Sequence, residues 1–154
     1  MRFRKLQTDT SGMLYLYSMP GRYEPIGEFI KRAQELEIET LVCLTAEEEV
    51  KEKSPEYARM VEDESLPFFR NVFPIPDFGT PEDADDLYEF AILLVGRLMD
   101  GENMLIHCAG GIGRTGMFAG CILKAQELPL SILEESGSYP ETEEQMDVIK
   151  RMPF

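Results

Sequence analysis

The fold and chemistry of this chain are decided by the stretch His107-Cys108-Ala109-Gly110-Gly111-Ile112-Gly113-Arg114-Thr115-Gly116. The short apolar run Met104–His107 before it predicts a buried strand, and the apolar residues from about Thr115 to Gln126 predict a helix. The three glycines between strand and helix let the backbone adopt unusual dihedral angles, so that successive N–H groups can turn towards one anion. A glycine-rich loop that opens into a helix N-terminus predicts an anion-binding site.

The side chains at both ends of this loop fit phosphoryl transfer. A helix N-terminus favours the thiolate form of a cysteine, which makes Cys108 a candidate nucleophile. Arg114 offers a planar fork to two phosphate oxygens, and Thr115 can donate a hydrogen bond to the Cys108 sulfur. The phosphate cradle would be completed by Ala109, Gly110, Gly111, Ile112 and Gly113. The alternatives are a buried core thiol at Cys108 and a surface ion pair at Arg114, and the glycine-rich context disfavours both.

The same loop satisfies a second pattern, G-x-G-x-x-G, over Gly111–Gly116. Dinucleotide-binding folds build most of their sheet after this turn. Too little chain follows Gly116 to supply those strands, so we reject a dinucleotide site on architecture.

The loop resembles the phosphate-binding loop of the protein tyrosine phosphatase superfamily, whose pattern is His-Cys-x5-Arg-Ser/Thr. In size and layout the chain is similar to the compact dual-specificity branch, which includes the cyclin-dependent-kinase-associated phosphatase and its microbial relatives. The resemblance extends from Leu14–Gly21 to Glu141–Gln145. It implies that Cys108 attacks phosphorus to form a phosphocysteine, which water then hydrolyses.

The resemblance also implies a general acid on a mobile loop. Ile75-Pro76-Asp77 stands where the Trp-Pro-Asp loop of larger relatives would be, so Asp77 is the candidate acid and, in the second step, the base for water. A turn or cap role is the alternative for Asp77. Rival acids lie nearby at Asp83, Asp85 and Asp86, although their position at a helix start suits capping better.

Further residues have supporting roles in this interpretation. We expect His107 to be structural and to hold the surroundings of the thiolate. The segment with Gln145 resembles the family's glutamine-containing segment, which helps to place the hydrolytic water; Glu141 stands where larger relatives carry a second glutamine. Cys43 and Cys121 are expected in the core, with a reversible Cys43–Cys108 disulfide as an alternative that some relatives suggest.

The rest of the sequence alternates strand-like and helix-like runs, which predicts a single α/β domain over residues 1–154. We expect four or five strands in a mostly parallel sheet flanked by helices. Predicted strands are Leu14–Tyr17, Thr40–Leu44, Phe68–Ile75 and Met104–His107. Helices are predicted over residues 26–36, 46–53, 57–61, about 81–99 with Thr80 as N-cap, 115–126, 130–135 and 143–152.

Composition narrows the possible partners. Lys and Arg number 15 against 29 Asp and Glu, a net charge of −14, which disfavours binding to nucleic acid and to anionic membranes. Three scattered cysteines and a single histidine fit neither a disulfide framework nor a zinc site, so a reducing, cytoplasmic setting is expected. No metal or organic cofactor is implied, and we expect a monomer. The acidic runs at 47–49, 62–64 and 141–144 are interpreted as solvated helix faces, with docking of a basic partner as the alternative.

The predicted substrate is a phosphorylated protein. The stretch Ala109–Gly113 contains no Lys or Arg, whereas relatives acting on inositol lipids often carry basic residues there. Phosphotyrosine, with phosphoserine and phosphothreonine as further candidates, is therefore expected. The competing hypothesis is a phosphate-binding module without catalysis, and the presence of Cys108, Arg114 and Asp77 favours the enzyme.

Overall fold

The structure, a computed structural model, describes residues 2–153 and is organised around one five-stranded sheet. The strands are β1 (Arg4–Leu6), β2 (Leu14–Tyr17), β3 (Thr40–Cys43), β4 (Phe69–Val72) and β5 (Met104–His107). Their order across the sheet is β1-β2-β5-β3-β4. β1 pairs antiparallel with β2, and all other neighbouring strands pair in parallel. The predicted mostly parallel α/β sheet is confirmed.

Helices cover both faces of this sheet. They are α1 (Ile26–Glu35), α2 (Glu47–Lys53), α3 (Pro55–Glu62), α4 (Ala84–Met99), α5 (Gly113–Ala125), α6 (Ser131–Ser136) and α7 (Glu143–Arg151). The first three share one hydrophobic core, and the last four share the other. Within residues 2–153, no helix combines the length and the apolar character needed to cross a membrane.

The alternation of side chains along the central strands separates the two cores. On β3 and just after it, Val42 and Leu44 pack with the core that contains Cys108. Leu41 and Cys43 pack with the opposite core. This period of two, with all of β3 and β5 buried, is typical of a parallel strand covered on both faces.

The structure differs from the sequence prediction in three elements. The edge strand β1 was not predicted, because only Leu6 of its three residues is buried and its register is set by pairing with β2. α4 begins at Ala84 rather than near Pro81, and its N-cap is Asp83 rather than Thr80, because the Asp83 carboxylate accepts a hydrogen bond from the Asp85 N–H at 2.9 Å.

The third difference is the length of β4. It ends at Val72 rather than Ile75, although Phe73 and Ile75 still donate single backbone hydrogen bonds to the end of β3 and to Leu44. Pro74 and Pro76 have no N–H group, so a regular strand cannot continue through them.

Candidate active site

The predicted site residues meet at the carboxyl ends of the parallel strands. β5 leads directly into the loop with Cys108, the segment after β4 carries Asp77, and α2 follows β3. Ligands of open α/β sheets bind at this edge. A cleft of about 210 Å³ lies there, and its walls include Cys108, Arg114, Asp77, Glu141, Arg22 and Lys53.

Cys108 lies at the base of this cleft, almost completely buried. Two donors converge on its sulfur: the Thr115 hydroxyl at 3.1 Å and the Gly111 N–H at 3.2 Å. Hydrogen bonds to a sulfur favour its charged form. The structure thus brings Thr115 and Cys108 together as the sequence suggested.

The loop over residues 109–113 curves around the cleft. Gly111 has a φ of +78°, and a Cβ atom there would lie 2.6 Å from the Tyr17 carbonyl oxygen, so both conformation and space require glycine. Within residues 2–153, the N–H groups of Ala109, Gly110, Ile112, Gly113 and Arg114 donate to no protein oxygen. The loop therefore offers a set of backbone donors together with the N-terminus of α5.

Arg114 is 2% exposed and is fixed on one side by protein groups. Its Nη1 and Nη2 each donate to a carboxylate oxygen of Glu49 at 2.8 Å, and Nη1 also donates to the Ile75 carbonyl at 2.9 Å. The hydrogen bond from Arg114, with help from Lys53, lowers the pKa of Glu49 to about 2 despite partial burial.

Glu49 corrects one prediction from the sequence. The run 47–49 was interpreted as a solvated helix face, but Glu49 faces the site while Glu48 is exposed. Glu47 pairs with Arg70 at 2.7 Å, so it is not merely solvated either. A run of like charges does not show which of its residues faces inward. For the run 47–49, the position of α2 after β3 determines that Glu49 does.

Asp77 lies at the mouth of the cleft, with its side chain half exposed. Its Oδ1 is 3.2 Å from Nη2 of Arg114, and its Oδ2 is 4.0 Å from Nζ of Lys53. The next residue, Phe78, has a φ of +58° and is 59% exposed. The rival acids are on or beside α4, where Asp83 acts as the cap.

Two residues near the start of α7 connect this helix with the site. Gln145 is buried; its Nε2 donates to the Gly79 carbonyl at 3.0 Å, and its Oε1 accepts from the Glu141 N–H at 2.7 Å. It therefore ties α7 to the Asp77 loop. The Glu141 carboxylate lies so close to the loop that a Cβ atom at Gly113 would clash with its Oε1.

His107 is part of a buried network behind the loop. Its Nδ1 donates to the Cys108 carbonyl at 3.1 Å, and its Nε2 is hydrogen-bonded to the Tyr57 hydroxyl at 2.7 Å. Arg70 donates to the same Tyr57 oxygen at 2.9 Å and to the Cys43 sulfur at 3.3 Å. Burial opposes ionisation of Cys43, but His107, Arg70 and Thr45 lower its pKa to about 6.

Several residues of the site carried no recognisable signal in the sequence. Tyr57, Arg70 and Lys53 have the character of ordinary helix and strand residues, and Arg4, which donates to the Gly111 carbonyl, lies outside every predicted element. Each reaches the site through pairing of strands or packing of helices that are distant in sequence, which a local pattern does not encode.

Comparison with known proteins identifies the family of this arrangement. Residues 10–152 match the family model described as Swiss Army Knife protein, DSP-PTPase phosphatase domain. The chain belongs to the DSP-PTPase phosphatase family. The predicted resemblance to dual-specificity phosphatases is confirmed.

Individual relatives agree with membership of the DSP-PTPase family. The 197R protein of Invertebrate iridescent virus 6, named as a tyrosine phosphatase, is 31% identical over 83 residues, which are 50% of this chain and 31% of the viral protein. Cyclin-dependent kinase inhibitor 3 of Rattus norvegicus is 44% identical over 50 residues, 32% of this chain and 23% of that protein. The matches thus span less than a third of either relative.

Among solved structures, kinase-associated phosphatase with its catalytic cysteine replaced by serine superposes with a TM-score of 0.78. The sequence identity is 20%, and the match covers 97% of this chain and 92% of that one. This likeness establishes the fold of the DSP-PTPase family over nearly the whole chain.

Proposed function

We propose that this chain is a cysteine-dependent protein phosphatase that hydrolyses phosphotyrosine, and also phosphoserine and phosphothreonine, through a phosphocysteine intermediate. One observation carries the proposal. The Thr115 hydroxyl and the Gly111 N–H converge on the Cys108 sulfur at the base of a cleft that Arg114 and Asp77 also line. Family membership over residues 10–152 supports the same chemistry.

In the first step the Cys108 thiolate attacks phosphorus. A sulfur–phosphorus bond forms while the bond from phosphorus to the leaving oxygen breaks, and Asp77 gives its proton to that oxygen. Arg114 and the loop N–H groups stabilise the negative charge on the remaining phosphate oxygens. Because Glu49 and the Ile75 carbonyl fix the guanidinium beforehand, little reorganisation is needed as the charge develops.

In the second step water attacks the phosphocysteine. The Asp77 carboxylate accepts a proton from the water, the sulfur–phosphorus bond breaks, and inorganic phosphate leaves. The Thr115 hydroxyl and the Gly111 N–H stabilise the departing thiolate. Through its bond to the Gly79 carbonyl, Gln145 keeps the Asp77 loop near the site where the water must enter.

Two features of the cleft favour phosphoproteins over multiply phosphorylated lipids or nucleotides. The loop at 109–113 has no basic side chain, and the Glu141 carboxylate lies beside Gly113, so a second phosphate on the substrate would meet negative charge there. At the mouth, the exposed Phe78 ring provides an apolar surface for the side chain that carries the phosphate.

The experiment that tests this function is hydrolysis of para-nitrophenyl phosphate without added metal by the unaltered chain and by Cys108→Ser. We expect turnover by the unaltered chain and a loss of roughly a thousandfold or more in the variant, by analogy with other nucleophile deletions. Cys121→Ser, which alters a buried thiol outside the cleft, is the matched control and should keep full activity. Phosphate binding without turnover by the unaltered chain would instead identify a phosphate-binding module.

The pH profile provides a second check on this mechanism. The first step requires Cys108 without its proton and Asp77 with its proton, so kcat/KM should depend on pH in a bell-shaped manner. A rate that rises steadily to about pH 9 would contradict this pairing of nucleophile and acid.

A further inference from the structure

Arg4, on the edge strand β1, contacts the back of the phosphate-binding loop. Its Nη2 donates to the Gly111 carbonyl at 2.7 Å, and its Nη1 donates to the Ser136 carbonyl at 2.9 Å and to the Ser138 hydroxyl at 2.7 Å. Ser138 in turn donates to the same Gly111 carbonyl at 2.7 Å. One carbonyl oxygen therefore accepts two hydrogen bonds, and Arg4 holds both the oxygen and its second donor.

The direction of this carbonyl decides what the loop offers to a phosphate. In a planar trans peptide the C=O and the following N–H point in opposite directions. Since the Gly111 carbonyl points backwards to Arg4, the Ile112 N–H points forwards, and Ile112 lines the cleft. Rotation of this peptide would withdraw a donor from the cleft and aim a carbonyl oxygen at it.

Arg4 also brings positive charge to the closed side of Cys108. Arg4 holds the carbonyl of Gly111, and the N–H of the same residue donates to the Cys108 sulfur at 3.2 Å, so a single residue connects the guanidinium to the thiol. Burial lowers the pKa of Arg4, and the charge of Cys108 acts on that pKa in the opposite direction. The other charged side chains near Cys108 line the cleft, and they are Arg22 after β2, Lys53 on α2, Asp77 after β4, Arg114 on α5 and Glu141 before α7. Arg4 differs from them because it does not line the cleft.

We propose that Arg4 is a positioning residue for the phosphatase reaction: it fixes the Gly111–Ile112 peptide so that the Ile112 N–H faces the phosphate, and its charge favours the thiolate of Cys108. This rests on the proposed function for its role in turnover, but its two effects are measurable without turnover. Arg4 lies outside the Cys-x5-Arg motif, and its position comes from the pairing of β1 with β2.

The test uses Arg4→Gln and Arg4→Lys, with Arg97→Gln as the control. Arg97 is a half-buried arginine that binds Glu102 and Asn71 away from the cleft. Its replacement therefore also removes a hydrogen-bonded guanidinium, as the replacement of Arg4 does. The first readout is the rate of Cys108 alkylation by iodoacetamide against pH, followed by mass spectrometry of the peptide that contains Cys108. The second is inhibition of aryl phosphate turnover by inorganic phosphate, or phosphate binding by calorimetry if turnover is absent.

We expect Arg4→Gln to move the midpoint of the alkylation profile upwards by about half a pH unit or more and to weaken phosphate binding roughly fivefold. Arg4→Lys keeps the charge without the fork, so it should restore the midpoint but not the phosphate affinity. Arg97→Gln should change neither. A folded Arg4→Gln with an unaltered midpoint and unaltered phosphate affinity would overturn the proposal.

The two measurements on Arg4→Lys keep the test decisive if Arg4→Gln does not fold. In that case, phosphate affinity of Arg4→Lys equal to that of the unaltered chain would overturn the positioning role. Failure of the proposed function has a different signature: the unaltered chain would not turn over aryl phosphate, while Arg4→Gln would still shift the alkylation midpoint and weaken phosphate binding.

Discussion

Arg114 and Glu49 are joined by two hydrogen bonds of 2.8 Å, which leave only one edge of the guanidinium for a substrate. Both Nη1 hydrogens are used, by Glu49 and the Ile75 carbonyl, and one Nη2 hydrogen is used by Glu49. We therefore expect phosphate to bind at Nε and the second Nη2 hydrogen. Asp77 Oδ1 lies 3.2 Å from Nη2, so two-point binding of phosphate requires this carboxylate to move aside.

Replacing Glu49 should impair turnover through the orientation of Arg114. We expect Glu49→Gln to lower kcat/KM for an aryl phosphate by roughly a hundredfold, because a guanidinium displaced by about an ångström no longer matches the transition state. Steady-state kinetics measure this effect. Glu48→Gln removes the same charge from an exposed neighbour on α2 and should leave kcat/KM unchanged; equal losses in both variants would assign the effect to net charge.

The same pair should make stability depend on pH in the acid range. The pKa of Glu49 is lowered to about 2 in the folded chain by Arg114, below the value of about 4.3 expected when unfolded. Its contribution is therefore complete above about pH 4.3 and lost as the pH falls towards 2. Urea unfolding at several acidic pH values should show a shallower decline for Glu49→Gln than for the unaltered chain. Parallel curves would contradict the assignment.

Asp77→Asn should separate catalysis from phosphate binding. Loss of the proton donor is expected to slow turnover of an aryl phosphate by about 10²–10⁴-fold. Phosphate inhibition should be unchanged or stronger, because the carboxylate beside Nη2 of Arg114 has lost its charge. Inhibition constants for inorganic phosphate measure the second effect. A parallel loss of phosphate affinity would make Asp77 a structural residue of its loop.

Glu141→Gln should strengthen phosphate binding. Its carboxylate lies against the loop at Gly113, where it repels a bound anion, and removal of one charge at this distance near a wet surface is worth roughly three- to tenfold in affinity. Inhibition by inorganic phosphate provides the measurement, with Glu144→Gln on the exposed side of α7 as the control. No gain over that control would show that Glu141 does not act on the phosphate site.

Mild peroxide should not link Cys43 to Cys108. Cys43 packs in the core on one face of the sheet and Cys108 in the core on the other, and Cys43 is held by Arg70 and Thr45. Mass spectrometry of the oxidised chain is expected to find Cys108 modified and no peptide that joins residues 43 and 108. Detection of that linkage would require the two strands to rearrange, and the disulfide hypothesis would then be correct.

The sequence alone predicted the parts of this molecule that have local causes. The apolar runs at Thr40–Cys43 and Met104–His107 predicted two buried parallel strands, and the glycines between strand and helix predicted the shape of the loop. The contacts of Gln145 show where prediction from local sequence ends. Its backbone N–H donates to the Thr142 hydroxyl in a local capping contact, whereas its side chain donates to the carbonyl of Gly79, a residue distant in sequence. Partners such as Glu49 and Arg4 depend on strand order, for which a single sequence holds no direct signal.

The Gly111 carbonyl is held by groups that lie 107 residues before it and 27 residues after it. A nascent chain that has emerged only through Arg114 carries the motif but lacks Ser138 and Gln145, so their contacts with the Gly111 and Gly79 carbonyls are missing at that stage. Contacts of such high sequence separation form late, because loop closure must precede them. We therefore expect the site to reach its full affinity for phosphate only when the tertiary structure is complete, and partial detachment of the edge strand β1 to weaken that affinity.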